Sequence, residues 1–487
     1  MGGGALWGLC HGEDPFWPLA GLALVPLLIL SRRPSRRQAF FLGWLHGTVA
    51  WWVGIPWIGY TLGVYGQIPA VLSSLLLVLL ALYLGIFHGA FAVLGRELWR
   101  GRWGLAFLGF PGLWVAVECL QGHPFGGFPW NLAAHAWIEV PGALAFAAWG
   151  GAYGVSFLVA WVNTGFALGL SQRRGLPVGI GLLVPGLLLS AASLGGLREP
   201  PPTEGSAVRV VQPNIGMVQG ADWQRIEEGY DRLLALSREA CGSGGALLIW
   251  PESAGWPLLW EGDPFFPGRL RRDVESLADR GCPVLFNSAH GEDGSTYNSA
   301  FLLASAQEPE RYDKRHLVPW GEYVPMGEVF PFIGKLARNA GNFSPGRTPG
   351  TLGWNGEELA PGICYESIFP GEVAEAVRGG ATVLVNLSND AWYGDSAARH
   401  QLFRAVRYRA AENRRPLVRA AITGISALVA ADGRVVDRLD LDQVGVLAGR
   451  IRGRGDLSPY TRWPALVPWI SFLGAAFAIM AAWRKTS

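Results

Sequence analysis

Apolar residues fill the first part of the chain in long runs, whereas the rest alternates short apolar runs with polar segments. Residues 38–95 contain no Asp, Glu, Lys or Arg over 58 positions. Because a membrane-spanning helix needs about 20 apolar residues, this stretch predicts two spans joined by a turn at residues 63–69. Five further apolar runs lie at residues 16–30, 103–121, 143–170, 175–197 and 463–483. The pattern therefore predicts seven spans: a transmembrane helical bundle at residues 1–197 and a C-terminal transmembrane helix at residues 463–483.

Basic residues indicate how these spans are oriented. They cluster at residues 32–37, 96–102, 173–174 and 484–485, and the connections between these clusters carry almost none. Since Lys and Arg concentrate in cytoplasmic loops, the four clusters are predicted to be cytoplasmic. Counting the spans from there, the long segment 198–462 is predicted to lie on the opposite, outer side.

One carboxylate lies near the end of a predicted span, at Glu118. An ionisable group inside a membrane is costly and is retained for a function or for a buried hydrogen bond. Two interpretations remain open, namely a hydrogen-bonded group within the bundle and a group already at the membrane surface.

The outer segment has the pattern of a globular α/β domain at residues 207–455, preceded by a linker at residues 198–206. Short β-branched runs predict strands at residues 207–215, 246–250, 283–288, 296–303, 382–387, 417–423, 426–430 and 434–439. Helical stretches lie between them at residues 222–241, 266–280 and 397–413. Alternation of strands and helices over such a length is typical of an α/β fold.

Composition and charge exclude several classes of function. Only 14 of the 78 charged residues lie in the first 197 positions, and the net charge of the chain is +2. Because no Lys/Arg-rich tract is present, the sequence predicts no nucleic-acid partner. An odd number of cysteines without CxxC spacing predicts neither a disulfide framework nor a zinc site. The five are Cys10, Cys119, Cys241, Cys282 and Cys364.

Three short motifs in the outer segment carry candidate chemistry. They are WPES at 250–253, YDKRHLVPWGEYVP at 312–325 and GICYES at 362–367. Active sites of open α/β sheets gather at the carboxyl ends of strands. Glu252 and Cys364 each follow an apolar run and fit that placement directly, whereas the placement of Lys314 beside them is inferred.

A carboxylate, an ammonium and a thiol together suffice for acyl transfer. A free thiol has a pKa of about 8.5, so little of it is thiolate at neutral pH. Glu252 can act as general base for the Cys364 thiol, and Lys314 can stabilise first the thiolate and then the oxyanion. This chemistry needs no cofactor and no metal.

Other readings of the same residues remain open at this point. A Cys–His mechanism would use His290, His316 or His400, each of which is more typical of a surface or supporting histidine. No paired His, Cys or Asp spacing indicates a metal site. A transporter would place polar groups and an internal repeat in the spans, but the spans hold few polar groups beyond Glu118 and show no evident repeat. A non-catalytic binding module is a further alternative.

The chain resembles the nitrilase superfamily over residues 207–450, on the order and content of the three motifs. With its membrane half it looks like the bacterial apolipoprotein N-acyltransferases over almost its whole length. Two further motifs carry that resemblance, FPWN at 128–131 and VNLSNDAWYG at 385–394. The resemblance implies a transmembrane α-helical bundle plus an α/β nitrilase-like αββα sandwich domain. Members of the family usually have eight spans, which leaves the total number of spans here open between seven and eight.

The resemblance also implies a reaction and its participants. An acyl chain would pass from a phospholipid, typically phosphatidylethanolamine, to the diacylglyceryl-cysteine of an apolipoprotein in a ping-pong reaction with a cysteine thioester. The protein would span a bacterial inner membrane with its catalytic domain on the outer, periplasmic face. A membrane-anchored amidase or nitrilase acting on another amide, or a non-catalytic lipoprotein-binding module, is the alternative.

Roles for particular residues follow from the same resemblance. The catalytic residues would be Glu252, Lys314 and Cys364. Glu322 and Glu366 match supporting carboxylates of the family. Positions that shape the substrate pocket or its loops match Trp223, Tyr365, Asn389 and Trp392.

Overall fold

A computed structural model of the chain describes residues 1–196, 204–217, 222–242, 245–256, 258–261, 268–304, 308–324 and 342–484. The chain divides into two compact units. Unit 1 comprises Met1–Leu197, Asp395–Tyr408 and Ser458–Ser487, and unit 2 comprises Arg198–Gly394 and Arg409–Leu457. Most of the predicted linker, residues 198–203, lies outside the described residues.

Unit 1 is helical. Its helices are α1 (Gly2–Leu9), α2 (Trp17–Ala20), α3 (Val25–Leu30), α4 (Arg36–Gly54), α5 (Trp57–Val64), α6 (Ala70–Leu98), α7 (Trp103–Gln121), α8 (Ala133–Ala136), α9 (Ala143–Gln172) and α10 (Gly175–Gly195). At the C-terminus it adds Pro459–Arg462 and Leu466–Trp483. α4 and α6 can approach closely because Gly47 and Gly85 have no side chain at their contact. A Cβ on either glycine would collide with the facing helix. Small residues allow such contacts between apolar helices.

Five helices in the described part of the chain are long and apolar enough to cross a membrane. They are Ala70–Leu98, Trp103–Gln121, Ala143–Gln172, Gly175–Gly195 and Leu466–Trp483. The other two predicted spans take a different form. Residues 16–30 form α2 and α3, each with proline in its first turn, and a turn separates them. α4 begins in a basic segment at Arg36 and ends before Pro56, a residue that cannot continue its hydrogen bonding.

Glu118 is buried in unit 1, and its hydrogen bonds agree with the interpretation of a hydrogen-bonded group within the bundle. Its carboxylate accepts hydrogen bonds from the Trp114 indole at 2.9 Å and from the backbone N–H of Ala133 at 2.8 Å. The carboxylate therefore ties α7 to the segment that follows the FPWN motif.

Unit 2 contains two six-stranded sheets. The first consists of β1 (Ser206–Gln212), β2 (Leu247–Ile249), β3 (Val284–Glu292), β4 (Ser295–Leu303), β5 (Glu310–Asp313) and β12 (Gly445–Ile451). The second consists of β6 (Leu352–Trp354), β7 (Glu357–Ile363), β8 (Val383–Ser388), β9 (Leu417–Ala421), β10 (Ser426–Val429) and β11 (Val435–Leu439). Its helices are α11 (Trp223–Cys241), α12 (Arg269–Ala278) and α13 (Pro370–Arg378), and α14 (Ala398–Asn413) contributes residues to both units.

Both sheets are mixed and follow the same plan. In the first, β1, β2 and β3 run parallel in the centre and antiparallel strands flank them. In the second, β7, β8 and β9 form the parallel centre. The carboxyl ends of the parallel strands carry Glu252 and Cys364, so the topology provides a natural edge for a site.

The two sheets face each other across an apolar core. Val208, Ile249 and Leu285 of the first sheet belong to the same buried cluster as Ile363 and Val385 of the second. A second cluster lies on the other face of the first sheet, where Leu233 and Val274 cover it from α11 and α12. Helices outside and two sheets inside make the α/β sandwich that was predicted for this part of the chain.

Cys241 and Cys282, which are 41 positions apart in the sequence, form a disulfide. The expectation of no disulfide framework was therefore wrong for this pair. Cys241 ends α11 and Cys282 precedes β3, so their proximity follows from the packing of α11 against the sheet. Sequence spacing carries no sign of such a contact. Cys10, Cys119 and Cys364 are free thiols.

Candidate active site

Cys364 lies at the sharp turn that follows β7. Its φ angle is +53°, a left-handed conformation that is unusual for a residue with a Cβ. Residues in such conformations are held by their surroundings and cluster at functional sites. Here the turn is held by Glu366, whose carboxylate accepts a hydrogen bond from the N–H of Ile363 at 3.0 Å. The side chain of Cys364 is buried.

Glu252 follows β2 and is also buried. One carboxylate oxygen accepts from the backbone N–H of Asn389 at 2.9 Å, and the other accepts from the side-chain amide of Asn298 at 3.2 Å. Burial raises the pKa of Glu252, although the ammonium of Lys314 opposes that change. The carboxylate is thus fixed in position and made more basic than an exposed glutamate.

Lys314 follows β5, and only 1% of it is exposed. Its ammonium lies 2.9 Å from the carboxylate of Glu322 and 3.7 Å from that of Glu252. Burial lowers the pKa of Lys314, but the carboxylates of Glu322 and Glu252 outweigh burial, so the pKa is raised overall. The buried lysine is therefore a cation at neutral pH.

The charges of Glu252 and Lys314 both act on the Cys364 sulfur. Burial raises the pKa of the Cys364 thiol to about 12, and Glu252 and Asp390 add to the rise. Lys314 and a hydrogen bond from Ser388 lower it. The structure therefore brings the three predicted catalytic residues into one site, in which burial holds the pKa of the thiol above its usual range.

The two predicted supporting carboxylates occupy different places in this site. Glu322 accepts from Lys314 and Asn298 through one oxygen and from the N–H of Val318 through the other. Glu366 is buried and accepts from the Tyr312 hydroxyl at 2.6 Å and from the N–H of Arg315 at 2.8 Å. Glu366 thus joins the turn of Cys364 to the segment that carries Lys314.

The four predicted substrate-binding residues divide into two pairs. Tyr365 and Asn389 are buried beside the nucleophile, and the backbone of Asn389 contacts Glu252. Trp223 begins α11 and is 39% exposed, while Trp392 is 41% exposed in the short turn Asp390–Tyr393. Tyr365 packs its ring against Phe369 and His316.

The histidines considered above have other partners. His316 bonds to Glu372 at 2.7 Å and stacks on Phe369, and His290 faces Glu261 and Arg311. His400 belongs to unit 1, whereas Cys364 belongs to unit 2. Within the described ranges, no group of three or more His, Cys, Asp or Glu side chains is placed to hold a metal ion.

Several site residues escaped the sequence analysis. Asn298 donates to both Glu252 and Glu322, and its backbone carbonyl accepts from the N–H of Lys314 at 2.8 Å. An asparagine inside the apolar run TYNSAFLL was the available signal. Ser388 and Asp390, which lie in the VNLSNDAWYG motif beside Asn389, were also missed.

Comparison with known proteins agrees with both halves of the chain. Residues 207–455 match the family described as carbon-nitrogen hydrolase, and residues 3–165 match the apolipoprotein N-acyltransferase N-terminal domain. The fold and the site thus define a carbon–nitrogen hydrolase domain combined with a membrane-helix region.

Curated relatives narrow the class. An apolipoprotein N-acyltransferase of Geobacter metallireducens is 35% identical over 501 residues, which cover 99% of this chain and 94% of the relative. One from Ralstonia nicotianae is 32% identical and covers 98% of this chain and 92% of the relative. Among solved structures, a mutant of the Nesterenkonia AN1 amidase from the nitrilase superfamily is 19% identical to this chain. The match covers 53% of this chain and 95% of the amidase chain, with a TM-score of 0.40. The chain belongs to the apolipoprotein N-acyltransferase family, and it is an acyltransferase.

Proposed function

We propose that the protein moves a fatty acyl chain from a phospholipid to the α-amino group of a diacylglyceryl-cysteine at the N-terminus of an apolipoprotein. The acyl chain is carried as a thioester on Cys364. The observation that supports this proposal is the single buried site in which Glu252 and Lys314 both act on the Cys364 sulfur.

In the first half-reaction, the thiol attacks the carbonyl carbon of the acyl ester. Glu252 accepts the thiol proton, because the high pKa of the buried thiol makes a nearby base necessary, and the resulting thiolate forms the C–S bond. Lys314 stabilises the oxyanion of the tetrahedral intermediate. The C–O bond then breaks, and the departing lysophospholipid oxygen takes the proton from Glu252.

In the second half-reaction, the α-amino group attacks the thioester. Glu252 accepts a proton from the amine, and Lys314 again faces the oxyanion. The C–N bond forms, the C–S bond breaks, and the sulfur recovers a proton from Glu252. Glu252 and Lys314 thus have the same roles, as base and as oxyanion-stabilising cation, in both half-reactions.

The remaining predicted residues support this centre. Glu322 keeps Lys314 in place, and Glu366 holds the turn that presents the sulfur. The exposed indoles of Trp223 and Trp392 are proposed to contact lipid substrates, and Tyr365 and Asn389 to form the inner wall of the pocket.

We further propose that the protein lies in the bacterial inner membrane with its catalytic domain on the outer face, and that phosphatidylethanolamine is the donor. The four clusters of basic residues support this orientation. The disulfide between Cys241 and Cys282 supports it independently, because disulfides persist in oxidising compartments outside the cytoplasm.

Intact-mass analysis of the purified full-length protein tests the mechanism. After incubation with phosphatidylethanolamine and no acceptor, the mass is expected to rise by one acyl chain, and Cys364→Ala is expected to stay unmodified. Addition of a diacylglyceryl peptide should then discharge the wild-type adduct onto the peptide amine. A wild-type protein that stays unmodified while it turns over substrate would reject the thioester. Release of free fatty acid in place of peptide acylation would indicate a hydrolase.

A further inference from the structure

A hydroxyl group shielded from solvent lies beside the Cys364 sulfur. β7 and β8 run parallel with Ile363 opposite Leu387, so the next residues, Cys364 and Ser388, lie side by side. The Ser388 oxygen is 3.8 Å from the sulfur, and Ser388 has no exposed surface (0%). The thiol is therefore in contact with the hydroxyl of Ser388 as well as under the influence of the proposed base and cation.

An ion pair holds this hydroxyl in place. Ser388 donates to Oδ1 of Asp390 at 2.5 Å, and Oδ2 of Asp390 accepts from Arg419 at 2.7 Å. The side chains of Asp390 and Arg419 are both fully buried (0%). Arg419 also donates to the carbonyl of Ile425 at 3.1 Å and to the side chain of Asn386. Because the ion pair is anchored at several points, the position of the Ser388 oxygen is well defined.

A hydroxyl carries one proton, so Ser388 cannot donate to Asp390 and to the sulfur at the same time. A carboxylate accepts hydrogen bonds more strongly than a neutral thiol does. The shorter distance to Asp390 agrees with this order. In the resting site the proton therefore points to Asp390, and once the sulfur is ionised it becomes a competing anionic acceptor.

We propose that Ser388 is a positioning residue whose hydroxyl turns from Asp390 to the Cys364 sulfur as the thiolate forms, and so stabilises the reacting anion. Ser388 keeps its proton throughout, and only the hydrogen bond changes partner. The role of Ser388 in acyl transfer rests on the proposed function. Its contact with the sulfur can be tested separately, through the reactivity of the Cys364 thiol.

Four other titratable groups act on the sulfur, and the test must separate Ser388 from them. Glu252, Asp390 and Lys314 act through their charges, and the Tyr393 hydroxyl is hydrogen-bonded to the thiol. Burial raises the pKa of the thiol, and the hydrogen bond from Ser388 lowers it. Loss of that hydroxyl is therefore expected to make the thiolate scarcer at any given pH, while the four charged or phenolic groups stay unchanged.

The experiment measures the rate of Cys364 alkylation by iodoacetamide in the full-length protein in detergent, peptide by peptide, at a series of pH values. Ser388→Ala is expected to slow alkylation of Cys364 by roughly 10- to 100-fold, since a hydrogen bond to a charged group is lost. The free thiol of Cys119 is an internal control whose rate should not change. Thr164→Val removes another fully buried hydroxyl, bonded to the Ala160 carbonyl, and should leave Cys364 unaffected.

A second pair of variants keeps the test decisive if Ser388→Ala does not fold. Ser388→Thr and Ser388→Val have the same shape and differ only in the hydroxyl. The Thr variant is expected to react at least ten times faster than the Val variant at Cys364. Equal rates in this pair would overturn the proposal, as would an equal loss in Thr164→Val. Slow alkylation in Ser388→Ala together with full acyl transfer by Cys364→Ala would keep the contact and reject the acyl-enzyme.

Discussion

Lys314 is the one cation among the groups shown to act on the sulfur, so its removal gives the sharpest test of the site's electrostatics. Lys314→Met keeps the length of the side chain and leaves the carboxylates of Glu252 and Glu322 without their counter-ion. Thioester formation is expected to fall by about 10²- to 10³-fold, the usual effect of losing an oxyanion-stabilising group. Alkylation of Cys364 should shift to higher pH, because Lys314 lowers the pKa of the thiol against the effect of burial.

Arg315→Gln is the matched control for this change. The Arg315 side chain pairs with Glu375 at 2.9 Å, and its link to Glu366 runs through the backbone N–H, which the substitution keeps. We expect this variant to form the thioester at nearly the wild-type rate. Equal losses in Lys314→Met and Arg315→Gln would mean that general folding, and not the oxyanion, explains the effect.

The ionisation of Glu252 is expected to set the rate of thioester formation on the acid side of the pH profile. Burial raises its pKa above the ordinary value of 4.5, although Lys314 opposes that rise. The base works only when ionised, so the rate of thioester formation should fall as pH falls through a midpoint above 4.5. Glu252→Gln should remove this limb and lower the rate by about 10²- to 10⁴-fold. A wild-type rate that stays flat well below that midpoint, measured by single-turnover intact-mass analysis, would exclude Glu252 as the base.

Sequence reasoning identified the three charged or nucleophilic residues of this site but not the residues that orient them. Glu252, Lys314 and Cys364 stand in motifs whose order points to their chemistry. Asn298 and Ser388 reach the site through partners that are distant in sequence: Glu252 lies 46 positions from Asn298, and Cys364 lies 24 positions from Ser388. Such contacts depend on strand register, and short-range patterns carry little information about register.

At the scale of the element, Glu366 connects two pieces of chain that separately carry the nucleophile and the cation. It accepts from Ile363 before the Cys364 turn and from Tyr312 and Arg315 around Lys314. Glu366→Gln places an amide N–H₂ opposite at least one of these donors. A buried donor left unpaired costs about 1–3 kcal/mol, so the free energy of unfolding of unit 2 is expected to fall by that amount.

Thermal unfolding in detergent measures this loss, and Glu375→Gln is its control. The Glu375 side chain is 44% exposed and pairs with Arg315 at the surface. Exposed ion pairs contribute little, so this variant should unfold close to the wild-type temperature. If the two variants lost the same stability, Glu366 would not be a structural link between the two segments.

The strands show where local pattern succeeds and where it fails. β1, β3, β4, β8 and β9 were predicted from β-branched apolar runs, and each is present. β7 was missed, because EELAPGI contains proline, glycine and two glutamates and has no regular alternation. β12 was missed as well. It pairs with β1, although the two strands lie near opposite ends of the sequence of unit 2. Both became strands because a neighbouring edge was available to pair with them, which is a tertiary cause.

At the scale of the whole molecule, the sequence pattern and the contacts divide the chain differently at α14. The predicted catalytic domain at residues 207–455 contains residues 395–408, but these residues belong to unit 1. Within that unit, Gln401 accepts from the indoles of Trp57 and Trp130 and donates to the carbonyls of His11 and Gly54. The hydrogen bonds of this part of α14 are therefore made with residues of the N-terminal helical segment of unit 1.

We expect residues 207–455 expressed alone to be a poor soluble protein for this reason. The fragment would lack all four hydrogen-bond partners of Gln401 and would expose apolar side chains such as Leu402, which is fully buried (0%) in the whole chain. Exposed apolar surface of this kind leads to aggregation or to a need for detergent. Gel filtration and binding of a hydrophobic dye, with the full-length protein in detergent as reference, would measure it. A monomeric fragment that binds no dye and unfolds cooperatively at the temperature of the full chain would show that unit 2 does not depend on unit 1.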